Sequence, residues 1–221
     1  ILLLVFCLNY TDVFGQNSKY VIDHLELPDE FGAVKTNSFV EDNDGFLYLG
    51  LSNGFFRYDG HEIKEMTQID EYGFTLDFSY VVELAIDKDG EIIIVTRAGV
   101  FIFNPDTQHI RRFILTESIG IEYRTLFISK SNEIIIGTNK GLRIYDKISG
   151  TFESYIHDAF NAKSISHNVV RAVNEDKDGN LWVGTYNELN KFDRLTKSFE
   201  SFNLKPKDAE EGRNNLVLRI Q

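Results

Sequence analysis

Asn174-Glu-Asp-Lys-Asp-Gly-Asn-Leu-Trp-Val-Gly-Thr185, continued by Leu189-Asn-Lys-Phe-Asp193, packs an acidic turn ending in Gly179 against a short apolar run, Leu181-Trp-Val183. A small Gly184-Thr185 break then precedes a second strand that ends on Phe192 before Asp193. Weaker copies fill most of the remaining chain. The first is Asp42-Asn-Asp-Gly45 with Leu47-Tyr-Leu-Gly50 and Arg57-Tyr-Asp59, and the second is Asp87-Lys-Asp-Gly90 with Ile92-Ile-Ile-Val95 and Ile102-Phe-Asn104. The third is Ser131-Asn132 with Ile134-Ile-Ile-Gly-Thr138 and Gly141-Leu-Arg-Ile-Tyr-Asp146. The aromatic before the Asp or Asn serves as a ruler: Tyr58, Phe103, Tyr145 and Phe192 are 45, 42 and 47 residues apart. Self-similarity at that period marks a repeat architecture.

Each copy supplies four short β-branched and aromatic runs bounded by Gly, Asn and Asp, the pattern of strands joined by tight turns. The second run, as in Ile92-Ile-Ile-Val95, is apolar on consecutive residues, so both faces of that strand are covered; the last, as in Phe199-Glu-Ser-Phe202, alternates and belongs at a rim. Four strands per repeat of this length is the pattern of a β-propeller blade. The predicted fold class is all-β: four complete four-stranded blades, at 36–66, 81–115, 124–156 and 169–204, plus the first strand of a fifth beginning at about 214. Asn214-Asn-Leu-Val-Leu-Arg-Ile220 repeats the opening of the fourth copy at the same 47-residue offset. The expected shape is therefore an open arc of a larger ring. Pro28, Pro105 and Pro206 all fall between predicted strands, as residues without a backbone donor should.

The apolar start, Ile1-Leu-Leu-Leu-Val-Phe-Cys-Leu8, with Gly15 before Gln16, reads as a truncated signal peptide over 1–15. Segment 16–35 reads as a closing strand, Ser18 to Leu25, and a connector. The single cysteine, Cys7, lies in the expected leader, so disulfides, thiol catalysis and cysteine metal sites are not expected. A net charge of −11 argues against nucleic acid, whose binding rests on clustered Lys and Arg.

The pattern Asp-x-Asp-Gly-x-Leu-Trp-Val-Gly-Thr, followed by Gly-Leu-x-x-Tyr-Asp, resembles the two-component regulator propeller repeat of the periplasmic part of Bacteroidetes-type hybrid two-component sensors. The likeness is carried by Leu181 to Thr185 and by Asp44 to Gly50 with Arg57 to Gly60, and it covers roughly residues 19 to 221. It implies seven-bladed propellers, usually two in tandem, then an immunoglobulin-like domain, a membrane helix, a histidine kinase and a DNA-binding response regulator. It also implies a periplasmic sensing module, without catalysis of its own, that recognises an oligosaccharide. The expected partners are that ligand, the missing blades and downstream domains of the same chain, and a second copy of the full-length protein. Two other classes stay open: a propeller enzyme acting on polysaccharide as a lyase or glycosidase, and a protein-binding propeller.

Local features carry bland readings. The paired aspartates before Gly45, Gly90 and Gly179 are hairpin-turn chemistry rather than calcium ligands or catalytic pairs. Trp182 aligns with Tyr48, Ile93 and Ile135 and is a packing position. The histidines show no metal-ligand spacing, and no cofactor or metal is expected. In a propeller, connections between blades and between second and third strands share one face, which makes loops there the ligand candidates: Asn53, Arg97, Asn139, Lys140, Tyr186, Asn187 and Glu188. Gly54, Gly99 and Gly141 precede the third strands, whereas the fourth copy has Glu188. That suggests a positive-φ turn in three blades and an altered fourth turn with Asn187 in the left-handed region.

Overall fold

The computed structural model describes residues 34–66, 76, 78–113 and 120–203, together with the backbone of two short strands, β1 (Leu2–Val5) and β2 (Ile22–Leu25). Those two pair antiparallel with each other, Leu2 opposite Leu25. The strand expected to close the last blade thus lies against the expected leader segment. The readings that fall on residues 204–221 lie outside the described residues.

The remaining sixteen strands form four antiparallel sheets, each of four strands in sequence order. The first blade holds β3 (Thr36–Glu41), β4 (Leu47–Leu51), β5 (Gly54–Tyr58) and β6 (Ile63–Glu65). The second holds β7 (Val81–Ile86), β8 (Ile92–Thr96), β9 (Val100–Asn104) and β10 (His109–Phe113). The third holds β11 (Tyr123–Ile128), β12 (Ile134–Thr138), β13 (Gly141–Asp146) and β14 (Thr151–Tyr155). The fourth holds β15 (Val170–Glu175), β16 (Leu181–Thr185), β17 (Leu189–Asp193) and β18 (Ser198–Phe202). First strands neighbour one another, β3 beside β7, β7 beside β11 and β11 beside β15, so they are innermost and the blades fan outward as an open propeller arc.

Packing explains the apolar runs. Successive strand residues point to opposite faces. On β8, accordingly, Ile92 and Ile94 enter the core shared with the first blade, while Ile93 and Val95 enter the core shared with the third. Every residue of β4, β8 and β12 is buried. Ile135, Leu142 and Ile144 meet Val170, Leu181 and Val183 in the core between the third and fourth blades. The outer strands do not show the strict alternation expected of them: β10 buries Ile110 alone, and no residue of β14 is fully buried.

The acidic turns behave as turn devices. Asp42 Oδ1 accepts the backbone N–H of Asp44 (3.0 Å) and Phe46 (2.9 Å), and Asp87 and Asp176 repeat the arrangement. Gly45, Gly90 and Gly179 take φ of 85°, 78° and 83° in these turns. The third copy solves the same problem with other residues: Ser129 Oγ accepts the Glu133 N–H (3.0 Å), and Asn132 supplies the left-handed residue at φ 67°.

Two local expectations are corrected. The Gly-Thr pair is not a break, because β12 and β16 run through Thr138 and Thr185. A Cβ on Gly50 would stand 2.5 Å from Val81 Cγ1, and one on Gly137 2.7 Å from Val170 Cγ1, so these glycines let the next blade's inner strand approach. The altered fourth turn is also not seen. Neither Asn187 nor Glu188 is among the residues of positive φ, and Gly54 is not either, while Gly99 (157°) and Gly141 (104°) are. Thr185 closes the fourth loop: its hydroxyl accepts the N–H of Asn187 (3.2 Å) and Glu188 (3.0 Å) and donates to Glu188 O (2.9 Å), the cap that Thr96 also makes around Gly99, so this turn does not itself require a positive φ.

Candidate functional site

One hydrogen bond repeated in every blade places the candidate loops. The first residue after each second strand donates its N–H to the chain entering the first strand: Ser52 to Lys35 O (2.9 Å), Arg97 to Tyr80 O (3.3 Å), Asn139 to Glu122 O (3.0 Å) and Tyr186 to Val169 O (3.0 Å). The inner loops and the connections between blades therefore meet on one face, as geometry predicts. The acidic turns lie at the opposite end of the strands.

A second repeated feature opens a groove at this face. Each inner strand slips register after its first residue, between Thr36 and Ser38, Val81 and Glu83, Tyr123 and Thr125, and Val170 and Ala172. Such bulges re-aim a side chain. The unpaired residues are Asn37, Val82, Arg124 and Arg171. The last three, with Tyr80 and Arg97, line a groove of about 500 Å³ that spans the second, third and fourth blades. Arg97 Cζ stands over the ring of Tyr80, 3.6 Å from its centroid, and Tyr80 holds φ of 56°, a conformation that costs an aromatic residue on the order of 1–3 kcal/mol. Arg124 pairs with Glu122 at 2.6 Å. Arg171 stands 5.2 Å from the centroid of the Tyr186 ring, whose other neighbour is the His167 imidazole at 5.9 Å. Burial and the nearby His157 lower the His167 pKa, favouring the neutral ring, and its Nδ1 accepts the Val169 N–H at 3.0 Å. Burial pushes the Tyr123 hydroxyl up.

The sequence candidates separate. Arg97 lines the groove, and exposed Tyr186 borders it through Arg171. Asn139 is occupied structurally, its Oδ1 accepting the Glu122 N–H (2.9 Å) and its Nδ2 donating to Gly120 O (3.1 Å). Asn187 and Glu188 give their N–H groups to the Thr185 turn. Asn53 and Lys140 are exposed on the same face, in the first and third blades. Sequence reasoning missed Tyr80, Arg124 and Arg171; the available signal was arginine at matching points of two successive copies, 47 residues apart. Among the described residues no cluster of histidine, cysteine or carboxylate could hold a metal ion, and no helix is long and apolar enough to cross a membrane.

Blade architecture and face geometry define a β-propeller whose loop face carries an arginine-lined groove. Residues 164–187, from the connection entering β15 to the loop after β16, match the family described as "Two component regulator propeller". Among solved structures it is similar to a chain named as the extracellular domain of the hybrid two component system BT3049 from B. thetaiotaomicron, with 21% identity and a TM-score of 0.67 over 85% of this chain and 25% of that one. A second such domain, named for the one component system BT4673 of the same organism, gives 17% identity and a TM-score of 0.53 over 86% of this chain and 32% of that one. An inactive H270A virginiamycin B lyase from Staphylococcus aureus, with quinupristin, gives 15% identity and a TM-score of 0.60 over 87% of this chain and 63% of that one. The chain thus spans between a quarter and just under two thirds of the length of these structures. At such identities the likeness establishes the fold. No curated protein matches the chain in sequence.

Proposed function

We propose that the chain is part of the extracytoplasmic ligand-sensing propeller of a two-component signal transduction regulator, one that recognises an oligosaccharide on its loop face. The observation that carries the reading is the family match at 164–187, on the blade that presents Arg171 and Tyr186. Likeness to extracellular domains named for a hybrid two component and a one component system supports an extracytoplasmic location. Fold alone does not select sensing over catalysis, since virginiamycin B lyase shares the architecture. In the sensing reading, ligand binding favours one arrangement of the complete receptor over another; equal affinity for both would shift nothing. Signal passes to a kinase elsewhere in the same protein.

The test uses the full-length protein in membranes, with a panel of oligosaccharides as probes. Ligand-dependent phosphorylation without any cleavage of the sugar is the expected result. Turnover of the sugar by purified protein would replace the sensor by a propeller enzyme.

A further inference from the structure

We infer that the groove between the second and fourth blades is an oxyanion subsite, and that the sugar recognised there is acidic, bearing carboxylate or sulfate groups. This rests on the oligosaccharide reading above and specifies its chemistry.

The charge of the groove opposes that of the chain. The chain carries −11, yet Arg97, Arg124 and Arg171 converge on one groove against a single carboxylate, Glu122, which Arg124 engages. Among the described residues neither Arg97 nor Arg171 forms an ion pair, although Glu91, Glu133 and Glu153 elsewhere each hold a cation. The Nε atoms of Arg124 and Arg171 are buried without a hydrogen-bond partner. Burying such a group unmet is costly, and Arg143 Nε and Arg194 Nη2 outside the groove bear the same cost.

Two of these cations stand over tyrosine rings, Arg97 Cζ 3.6 Å from the Tyr80 centroid and Arg171 Cζ 5.2 Å from the Tyr186 centroid. A cation held over a ring face keeps guanidinium N–H groups for a further partner. The guanidinium edge is a rigid fork matched to the two oxygens of a carboxylate or sulfate. Tyr186 and Tyr80 also offer ring surface beside the cations, the combination that an anionic sugar ring requires. A neutral sugar would leave the cations unpaired.

Binding of the full-length protein to neutral, uronate-containing and sulfated oligosaccharides, each set on its own surface, tests the inference. Retention of uronate or sulfated sugars, weakened about tenfold or more by Arg97→Gln with Arg171→Gln, is expected, from the loss of charge-assisted hydrogen bonds. The set retained tells carboxylate from sulfate. Lys177→Gln on the opposite face should change nothing. Should the double variant fail to fold by circular dichroism, the wild type still decides. Its affinity for the acidic sugar must fall steeply between about 0.1 M and about 1 M salt, as the screening length shrinks from about 10 Å to about 3 Å. Retention of neutral sugars only, or acidic binding indifferent to salt and to the double variant, overturns the oxyanion subsite and leaves oligosaccharide sensing standing. Retention of nothing from any of the three sets removes both.

Discussion

Glu83 sits on the inner strand β7 and reaches the third blade, where its carboxylate accepts the Leu126 N–H at 2.6 Å. Burial raises its pKa, the hydrogen bonds from Leu126 and Thr125 only partly opposing the shift. A folded-state pKa above the unfolded one means that the native protein binds the extra proton. The group's contribution is then fully present below the ordinary glutamate range and is lost as pH rises through the folded value. Glu83→Gln keeps the acceptor oxygen and removes the charge, so at pH 7 it should raise the melting temperature by about 2–4 °C, the shift that 1 kcal/mol produces in a domain of this size. The gain should vanish toward pH 4, and a lower melting temperature at pH 7 would show that the charge is compensated. Asn190 makes the opposite case. Fully buried, it accepts the Ser166 N–H (2.9 Å) and donates to Ser166 Oγ (2.9 Å), Val183 O (3.2 Å) and Glu188 O (3.1 Å), tying the connection before β15 to the fourth blade. Asn190→Ala strands these partners and should cost about 1–3 kcal/mol in denaturant unfolding. A cost near zero would mean that water replaces the side chain.

The strands were readable because their causes are local: alternation, consecutive burial and Asp-Gly turns lie within a few residues of one another. All sixteen blade strands fall where the repeat places them, and Ser129 with Asn132 is readable as a turn once Asp and Gly are understood by what they do there. The role of Gly50 and Gly137 was not readable, since Val81 and Val170, which need the space, arrive from the next blade. At the matching point of the second blade Val95 is fully buried in the core that also holds Tyr123, so the position tolerates a side chain when its neighbour is shaped to meet it. Gly137→Ala should therefore cost about 1–3 kcal/mol, the usual penalty of overpacking, measured as a loss of denaturant midpoint. Unchanged stability would show that Thr125 and Val170 can move aside. The arginine groove was hidden for a related reason: a bulge is a relation between two strands, so Arg124 and Arg171 read as ordinary strand residues until the pairing is known. Clamps between blades share this property. Lys147, in the hairpin after β13, reaches back to Asp87, Asp89 (2.6 Å) and Glu91 (3.0 Å) of the second blade. Burial opposes its charge, yet those three carboxylates hold its pKa above the usual lysine value. Lys147→Met leaves the buried Asp87 without its cation and should cost about 3–5 kcal/mol at neutral pH, as breaking a buried pair does. Denaturant unfolding measures the loss, and an unchanged midpoint would show that the clamp contributes nothing.

Blades stabilise one another through shared faces, so each stands by its neighbours rather than alone. Tyr48, Ile93 and Ile135 occupy one position of the repeat on β4, β8 and β12, exposed by no more than 1%, and in each case the next blade supplies the cover. Trp182 holds that position on β16 and is only partly buried. Its ring meets Phe202 (5.6 Å between centroids) and Lys191, both from its own sheet, while its Nε1 donates to Asp176 Oδ2 at 2.8 Å. That bond and those from Asn180 hold the Asp176 carboxyl at about 2, so the contact persists to strongly acidic pH. Equivalence within the repeat predicts a further strand against Trp182, and the sequence offers Asn214 to Ile220, aligned with the opening of the fourth copy. Since Trp182 is the sole tryptophan, its fluorescence reports this surface without interference. Removing residues 204–221 should raise acrylamide quenching of the chain and shift its emission to the red, whereas Trp182→Phe should weaken unfolding stability more in the longer chain than in the shorter. Equal quenching in both chains would show that the segment leaves this face bare, and the expectation of a fifth blade built on it would fall.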